Sequence, residues 1–393
     1  MSGVLHVALG ELMASRVGSV DPTKFPNEVF DLYSIPAFDK GPPEIAVGTA
    51  IGSSKQIVRP GDVLLSKIVP HIRRSWVVGD DRGRRLIASG EWIVFRSERI
   101  EQAYLRHVLG GDTVHSQFMQ TVSGVGGSLL RARPVHVAKI TVPLPPLPEQ
   151  RRIAAIMDQA DALRAKRREA LAQLDSLTQS IFIEMFGDPV SNSKGWPETT
   201  TLGEVANIAS GVTKGRNLTG KVTRTIPYLA VANVQDKSLN LSAVKEIDAT
   251  EEEINRYLLQ WNDLLLTEGG DPDKLGRGTL WKNELPECIH QNHIFRVRVT
   301  SEAVTPLFLN WLVGSQRGKK FFLRSAKQTT GIASINMTQL RSFPLLLPPV
   351  ELQRVFEKTA VTIAEQHATH TASLSELDSL FASIQHRAFR GEL

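Results

Sequence analysis

The residues best suited to chemistry gather in a few short stretches. Cys288, His290 and His293 lie together in Cys288-Ile289-His290-Gln291-Asn292-His293, and thiolate with imidazole is a donor set that zinc accepts. The run that follows, Ile294-Phe295-Arg296-Val297-Arg298-Val299, alternates as a strand does. The three polar residues therefore read as a strand end, and no metal is expected. Ser123-Gly124-Val125-Gly126-Gly127-Ser128 has the glycines of a phosphate cradle, yet one glycine-rich stretch without a following lysine reads as a loop.

Basic and amide side chains give a stronger pattern. Arg and Lys neutralise phosphates, while Arg, Asn and Gln reach base edges with paired hydrogen bonds. Lys67, His71, Arg73 and Arg74 crowd one loop-like stretch of the first half, and Arg82, Arg84 and Arg85 another, with Ser123 in the glycine-rich loop. In the second half the same types are Lys214, Arg216, Asn233, Gln235, Arg277 and Gln328. The acids of Glu268-Gly269-Gly270-Asp271 are suited to accept from cytosine amino groups. These residues are the candidate DNA contacts, each competing with a plain solvated role.

The parts of a nucleic-acid enzyme are missing from the sequence. No G-x-x-x-x-G-K-[ST] loop occurs, and no lysine has Asp or Glu two positions before it, which removes half of a common nuclease site. The Pro-Pro pairs, in Gly41-Pro42-Pro43-Glu44, Leu144-Pro145-Pro146-Leu147 and Leu347-Pro348-Pro349-Val350, do not make the Asn/Asp-Pro-Pro-aromatic tetrapeptide of an adenine methyltransferase. A fused methyltransferase–nuclease fragment is thus disfavoured. A coiled-coil adapter that binds only protein stays open at this point.

Composition sets the frame for these clusters. The chain has 393 residues, enough for two or three domains, with 41% hydrophobic residues and a formal net charge of +5. That small excess tilts toward a polyanionic partner without requiring one. A single cysteine excludes a disulfide scaffold and suits a reducing cytoplasm. No apolar run approaches the ~18–20 residues of a membrane span, and Met1–Gly10 lacks the features of a secretory signal, so neither membrane nor export is expected.

The elements that must position the clusters are announced by a repeat. Leu144-Pro145-Pro146 returns as Leu347-Pro348-Pro349, Gln150-Arg151 as Gln353-Arg354, and Leu174-Asp175-Ser176-Leu177 as Leu377-Asp378-Ser379-Leu380, always 203 positions later. In the first copy Ile153, Ile156, Ala160, Leu163, Ala170, Leu174, Leu177 and Ile181 carry the three–four spacing of a coiled-coil seam, interrupted at Arg167. In the second, Phe356, Ile363, Leu377, Leu380 and Ile384 hold the same positions, with polar Gln366, His370 and Ser373 between. Pro148 suits the first turn, and Phe186-Gly187-Asp188-Pro189 ends the first helix. The intervening blocks share a looser grammar: Asn262–Thr267 matches Gly61–Ser66, and Phe308-Leu309 matches Tyr104-Leu105. An α+β chain follows: two mixed α/β domains, 1–147 and 188–346, separated by antiparallel helices at 148–187 and 347–393. The expected arrangement is a pseudo-two-fold dumbbell, with Arg167 and His370 meeting water or a partner near mid-helix.

The start LPPLPEQRRI at Leu144–Ile153, the exit Phe186-Gly187-Asp188-Pro189 and the close Ala388-Phe389-Arg390-Gly391-Glu392-Leu393 resemble the repeats of the DNA-specificity subunit of type I restriction–modification enzymes. The resemblance covers essentially the whole chain. The second copy departs from it, with Val350-Glu351-Leu352-Gln353 in place of Leu147-Pro148-Glu149-Gln150. It implies two target-recognition domains that read the halves of a bipartite site in double-stranded DNA, with the helices as ruler. It further implies two modification subunits that use S-adenosylmethionine, and restriction subunits that use ATP and Mg2+. No cofactor or catalytic residue is then expected on this chain. Half-sites read on one DNA face lie about one helical turn, ~34–36 Å, apart. On this reading, inserting or deleting about one helical turn, roughly 4 residues, after Leu163 changes the gap between half-sites and leaves their sequences alone. Methylation profiling that finds an unchanged gap refutes the ruler.

Overall fold

The structure is a computed structural model that describes residues 5–123, 130–271, 275–329, 332–390 and 392, with the backbone alone for 327–329 and 332. The chain divides into two compact units, residues 1–169 with 370–393 and residues 170–369.

In the first unit, strand β1 (Val63–Ser66) lies between Ser75–Val77 and β2 (Trp92–Phe95), antiparallel to both, with Val63 opposite Phe95. The unbroken apolar run of β1 follows from burial on both faces. Val63 and Leu65 join a core with Phe95 and helix α1 (Gln102–Gly110), while Leu64 turns to Tyr33, Trp92 and Val94. A five-stranded sheet, in the order Ser19–Val20, Lys55–Ile57, Arg85–Ala88, Val29–Tyr33, Glu44–Val47, flanks this core. After Val29–Tyr33 the chain changes element at Ser34. Its hydroxyl accepts from the Ala37 N–H and caps a short helix, Ile35–Lys40, with Pro36 in the first turn.

The second unit repeats the scheme. Strand β3 (Leu264–Thr267) pairs antiparallel with β4 (Ile294–Val299), with Leu264 opposite Val297, in a four-stranded sheet with Ala206–Ser210 and Gly278–Leu280. Leu264, Leu266, Phe295 and Val297 pack with helix α2 (Pro306–Val313), whereas Leu265 and Ile294 face Trp281 and Leu229. Both central strands are entered through the same device. Asp62, 1% exposed, takes two hydrogen bonds from Arg96, at 2.6 and 2.7 Å, and one from the Arg59 N–H. Asp263, equally buried, takes two from Arg298, both 2.7 Å, and one from the Gln260 N–H. The residues just before them, Gly61 and Asn262, have φ of 81° and 69°. Each is a type that tolerates the left-handed region.

The central helix spans Leu147–Phe186 and the distal helix Val350–Ala388. Gly187 ends the first with φ 79°, its N–H bonded to the Ile183 carbonyl. The covered stripe of the central helix is Ile153, Met157, Ala160, Arg164, Arg167, Leu171, Leu174, Thr178 and Ile181. On the distal helix it is Phe356, Ala360, Ile363, His367, His370, Leu374, Leu377, Phe381 and Ile384. The seam is therefore rotated by one residue at every second position from the apolar reading. Ile153, Leu174, Ile181, Phe356, Ile363, Leu377 and Ile384 lie in it as expected. Ile156 is half-buried beside it, while Leu163, Leu177 and Leu380 are 53%, 41% and 54% exposed. The reason is that arginine fills the place expected for leucine: the Arg164 guanidinium lies 4.2 Å from the Phe381 ring centroid and binds Asp378 at 2.6 Å. Arg167 and His370, repeat equivalents, meet each other, with Nη1 3.0 Å from Nδ1. A guanidinium only donates, so Nδ1 is the acceptor. In the second unit His367 and Asp175 meet at 3.1 Å; these are the repeat equivalents of Arg164 (164 + 203 = 367) and Asp378 (175 + 203 = 378).

No described helix is long and apolar enough to cross a membrane. In the second unit, His290 is fully buried and donates from Nδ1 to the Ile294 carbonyl. Burial holds its pKa down at about 4. An unfolded histidine takes its proton near pH ~6.5, so the unfolded state binds more protons between those values. Stability is full above about pH 6.5 and falls, by at most roughly 3 kcal/mol, as pH drops toward 4. Urea unfolding at several pH values should show this loss in the parent chain and a flatter profile in His290→Gln; parallel profiles would exclude the histidine as cause.

Candidate nucleic-acid interface

In each unit the segment that leaves the central strand is met by a hairpin. In the first unit Ile68 bridges to Arg131, and the Lys67 carbonyl accepts from the Ala132 N–H at 2.8 Å. Arg131–Ala132 pairs in turn with Val122–Ser123. The Ser123 hydroxyl accepts from Arg133 Nε at 2.7 Å, and Arg131 binds Glu91 at 3.2 Å. The glycine-rich residues 124–128 lie outside the described residues. In the second unit Gly269–Gly270 pairs with Ala333–Ser334, and that strand with Lys327–Thr329. Gly269 is required there, because a Cβ would stand 2.8 Å from the Ala333 carbonyl oxygen. Gln328 sits on this hairpin by its backbone; its side chain lies outside the described residues, as do residues 330 and 331. Equivalent backbone thus carries different chemistry: Lys67 follows β1, while Glu268, bonded to exposed His293 at 2.5 Å, follows β3.

The basic candidates divide sharply by partner. Arg74 is buried and bidentate to Asp39, 2.8 Å at both oxygens, which holds the Asp39 carboxyl below its usual range. Arg84 binds buried Asp31 at 2.7 Å. Arg85 binds Glu28 at 3.0 Å and lies over the Phe25 ring at 4.5 Å. Arg73 is exposed yet binds Asp112 at 2.6 Å and the Gly110 carbonyl. In the second unit Arg216 is held by Glu253, whose pKa its hydrogen bonds lower to about 2, and also donates to the Thr213 and Asp248 carbonyls. Asn233 is 4% exposed and saturated: its Oδ1 accepts from the Ala230 N–H and its Nδ2 donates to the Asn240 and Ala243 carbonyls. Gln235 accepts from Arg277 at 3.3 Å and donates to the Ala232 carbonyl. In the free chain, then, Arg74, Arg84, Arg85, Arg216 and Asn233 are already engaged, each by a carboxylate or by backbone groups of the fold.

Available side chains are fewer. His71 and Arg82 are exposed and Lys67 half-exposed, none with a side-chain hydrogen bond or ion pair among the described residues. Lys214 is exposed, with Nζ 5.1 Å from the Tyr228 ring centroid. The residue-type reading missed Arg131 and Arg133 beside the hairpin, and the basic helix Gln316–Ser325, where Lys320 and Arg324 are exposed. Their i, i+4 spacing was the available signal. The cysteine–histidine run ends as strand, Ile289–His290, before β4. Cys288 is buried with its thiol pushed up to about 12, and His293 is turned to Glu268.

Residues 194–374 match the family model described as the type I restriction modification DNA specificity domain. Relatives include the StySPI specificity subunit of Salmonella potsdam, 25% identical over 285 residues, and the EcoKI specificity subunit of Escherichia coli K12, 26% identical over 284. The alignments cover 68% of this chain and 61% of each relative. The chain is similar, over part of its length, to specificity subunits of type I restriction enzymes. Its match thus spans less than two thirds of the length of these specificity subunits. The fold is shared over the full chain with a protein from a structure of type I R-M complex assembly and conformational transition, at TM-score 0.61, 21% identity and coverage of 100% and 99%. The type I S subunit of M. genitalium shares it at TM-score 0.58 and 13% identity, with coverage of 99% and 97%.

The division of the basic side chains has a direct check. Arg74→Ala should lower the stability of the first unit by about 2 kcal/mol, the usual cost of a charged hydrogen-bonded partner. The triple change Lys67→Ala, His71→Ala, Arg82→Ala should leave the unfolding midpoint nearly unchanged while weakening DNA binding in a reconstituted complex. Urea titrations and fluorescence anisotropy measure the two effects; a destabilised triple variant, or one with parental DNA affinity, overturns the division.

Proposed function

We propose that this chain is the part of a type I restriction–modification complex that reads a bipartite target in double-stranded DNA. One observation carries the reading. Two units of the same strand and hairpin scheme present different side chains at the same backbone position, Lys67 in one and Glu268 in the other. A repeated scaffold with diverged loop chemistry is what two unlike half-sites call for, since base readout depends on donor and acceptor type. The match to the DNA specificity domain supports the same conclusion.

In this role the chain contributes no catalytic group. Methyl transfer from S-adenosylmethionine belongs to two modification subunits, and ATP- and Mg2+-dependent restriction to further subunits, all acting in the cytoplasm. The hairpins and the side chains of Lys67, His71, Arg82, Lys214, Lys320 and Arg324 face DNA, the lysines and arginines chiefly its phosphates.

The test is coexpression of the chain with its modification subunits in a host that lacks other adenine methylation, followed by long-read methylation profiling. A single motif of two fixed half-sequences and a fixed gap is expected. Exchange of residues 188–346 for the matching domain of a relative should replace one half-sequence and keep the other. Methyl transfer by this chain alone, or methylation without sequence preference, refutes the proposal.

A further inference from the structure

Two buried glutamines make the same contacts at the starts of the two long helices. Gln150, 1% exposed, accepts from the Glu101 N–H at 2.8 Å and donates to the Arg99 and Pro145 carbonyls at 3.1 and 2.8 Å. Gln353, 0% exposed, accepts from the Thr305 N–H at 2.9 Å and donates to the Ala303 and Pro348 carbonyls at 3.0 and 2.8 Å. In each case both amide hydrogens and the amide oxygen are engaged. Glu101 and Thr305 are the N-caps of α1 and α2, and their side chains accept from the Tyr104 and Phe308 N–H groups. Those two aromatic residues are held in turn by the far end of the other long helix. Tyr104 lies 5.9 Å from Phe389 in the first unit, and Phe308 lies 4.8 Å from Phe186 in the second.

Each domain helix is thus gripped at its N-cap by a glutamine and at its first turn by an aromatic ring. Apolar contact alone would let the long helix pivot on the domain, because dispersion has little directional preference. The three hydrogen bonds of the glutamine are directional and shielded from water, so they fix the angle at which helix leaves domain. The central helix of 40 residues is about 60 Å long. A 10° pivot at its start displaces its far end by roughly 10 Å, about three base-pair steps of duplex.

We propose that Gln150 and Gln353 are positioning residues that set how strictly the gap between half-sites is measured. This rests on the specificity reading above. Loss of either clamp leaves a buried N–H and two carbonyls unpaired at the joint and frees the angle, while the hairpins and free cations of the domains are untouched.

The experiment uses the full chain with its modification subunits, profiling methylation at targets whose gap differs by one or two base pairs from the parental length. Gln150→Met and Gln353→Met keep volume and lose all three hydrogen bonds. Gln150→Glu retains acceptance from the Glu101 N–H and loses both donors. The Met variants should raise methylation at off-length targets, relative to the parental target, by about tenfold or more. Gln150→Glu should fall between them and the parent, and both half-sequences should persist in all three. Folded variants, judged by circular dichroism, that keep the parental gap preference overturn the proposal, as does loss of a half-sequence with the gap still strict. If one Met variant does not fold, the other and Gln150→Glu decide by the same readout. A parental complex with no bipartite motif instead removes the specificity reading, and the clamp's role falls with it.

Discussion

A helix of 40 residues with one covered stripe is not stable alone in water; it needs a second stripe of the same period to lie against. The fold depends on that constraint. Both long helices keep the alternation of three and four over their whole length, and the repeat of 203 residues maps one stripe onto the other without a gap. Within the first unit the beginning of the central helix finds the end of the distal helix. Within the second, the end of the central helix finds the beginning of the distal one through Phe182, Phe186 and Phe356. The apolar ends carry the packing, and the polar middle carries the alignment. Arg164 with Asp378, Arg167 with His370 and His367 with Asp175 are matched in this register, and polar pairs that meet in one alignment favour it over the others.

Much of this was legible in the sequence because two periodicities rarely coexist by chance over so many residues. The extent of the central helix to within a residue, the capping by Gly187, the equivalence of Asn262–Thr267 with Gly61–Ser66 and the strand nature of Ile294–Val299 follow from spacing and turn chemistry alone, whereas the distal helix, expected over 347–393, spans Val350–Ala388. The face of the helices was only half legible. Counting apolar residues places Leu163 and Leu177 in the seam, but Arg164 and Thr178 occupy it, since an arginine stem packs like an aliphatic chain and its head can rest on a ring. The candidate site was less legible still. A sequence shows that Arg74, Arg84 and Arg216 are cations without showing that Asp39, Asp31 and Glu253, each more than thirty residues away, neutralise them. Ion pairing across such separations is a property of the fold. What the sequence did show is where loops carry mixed polar chemistry, and the hairpins lie beside two of those stretches.

The hydrogen bonds of the glutamine clamps all go to backbone groups. Their partners are the N–H groups of Glu101 and Thr305 and the carbonyls of Arg99, Pro145, Ala303 and Pro348, so these bonds do not depend on the unlike side chains at matched positions. A domain can therefore change many side chains and keep these bonds, provided it offers one amide and one carbonyl where a helix begins and an aromatic ring in the first turn. The joint behaves as a standard socket. Substitution of the surrounding side chains leaves the hydrogen bonds of both joints as they are.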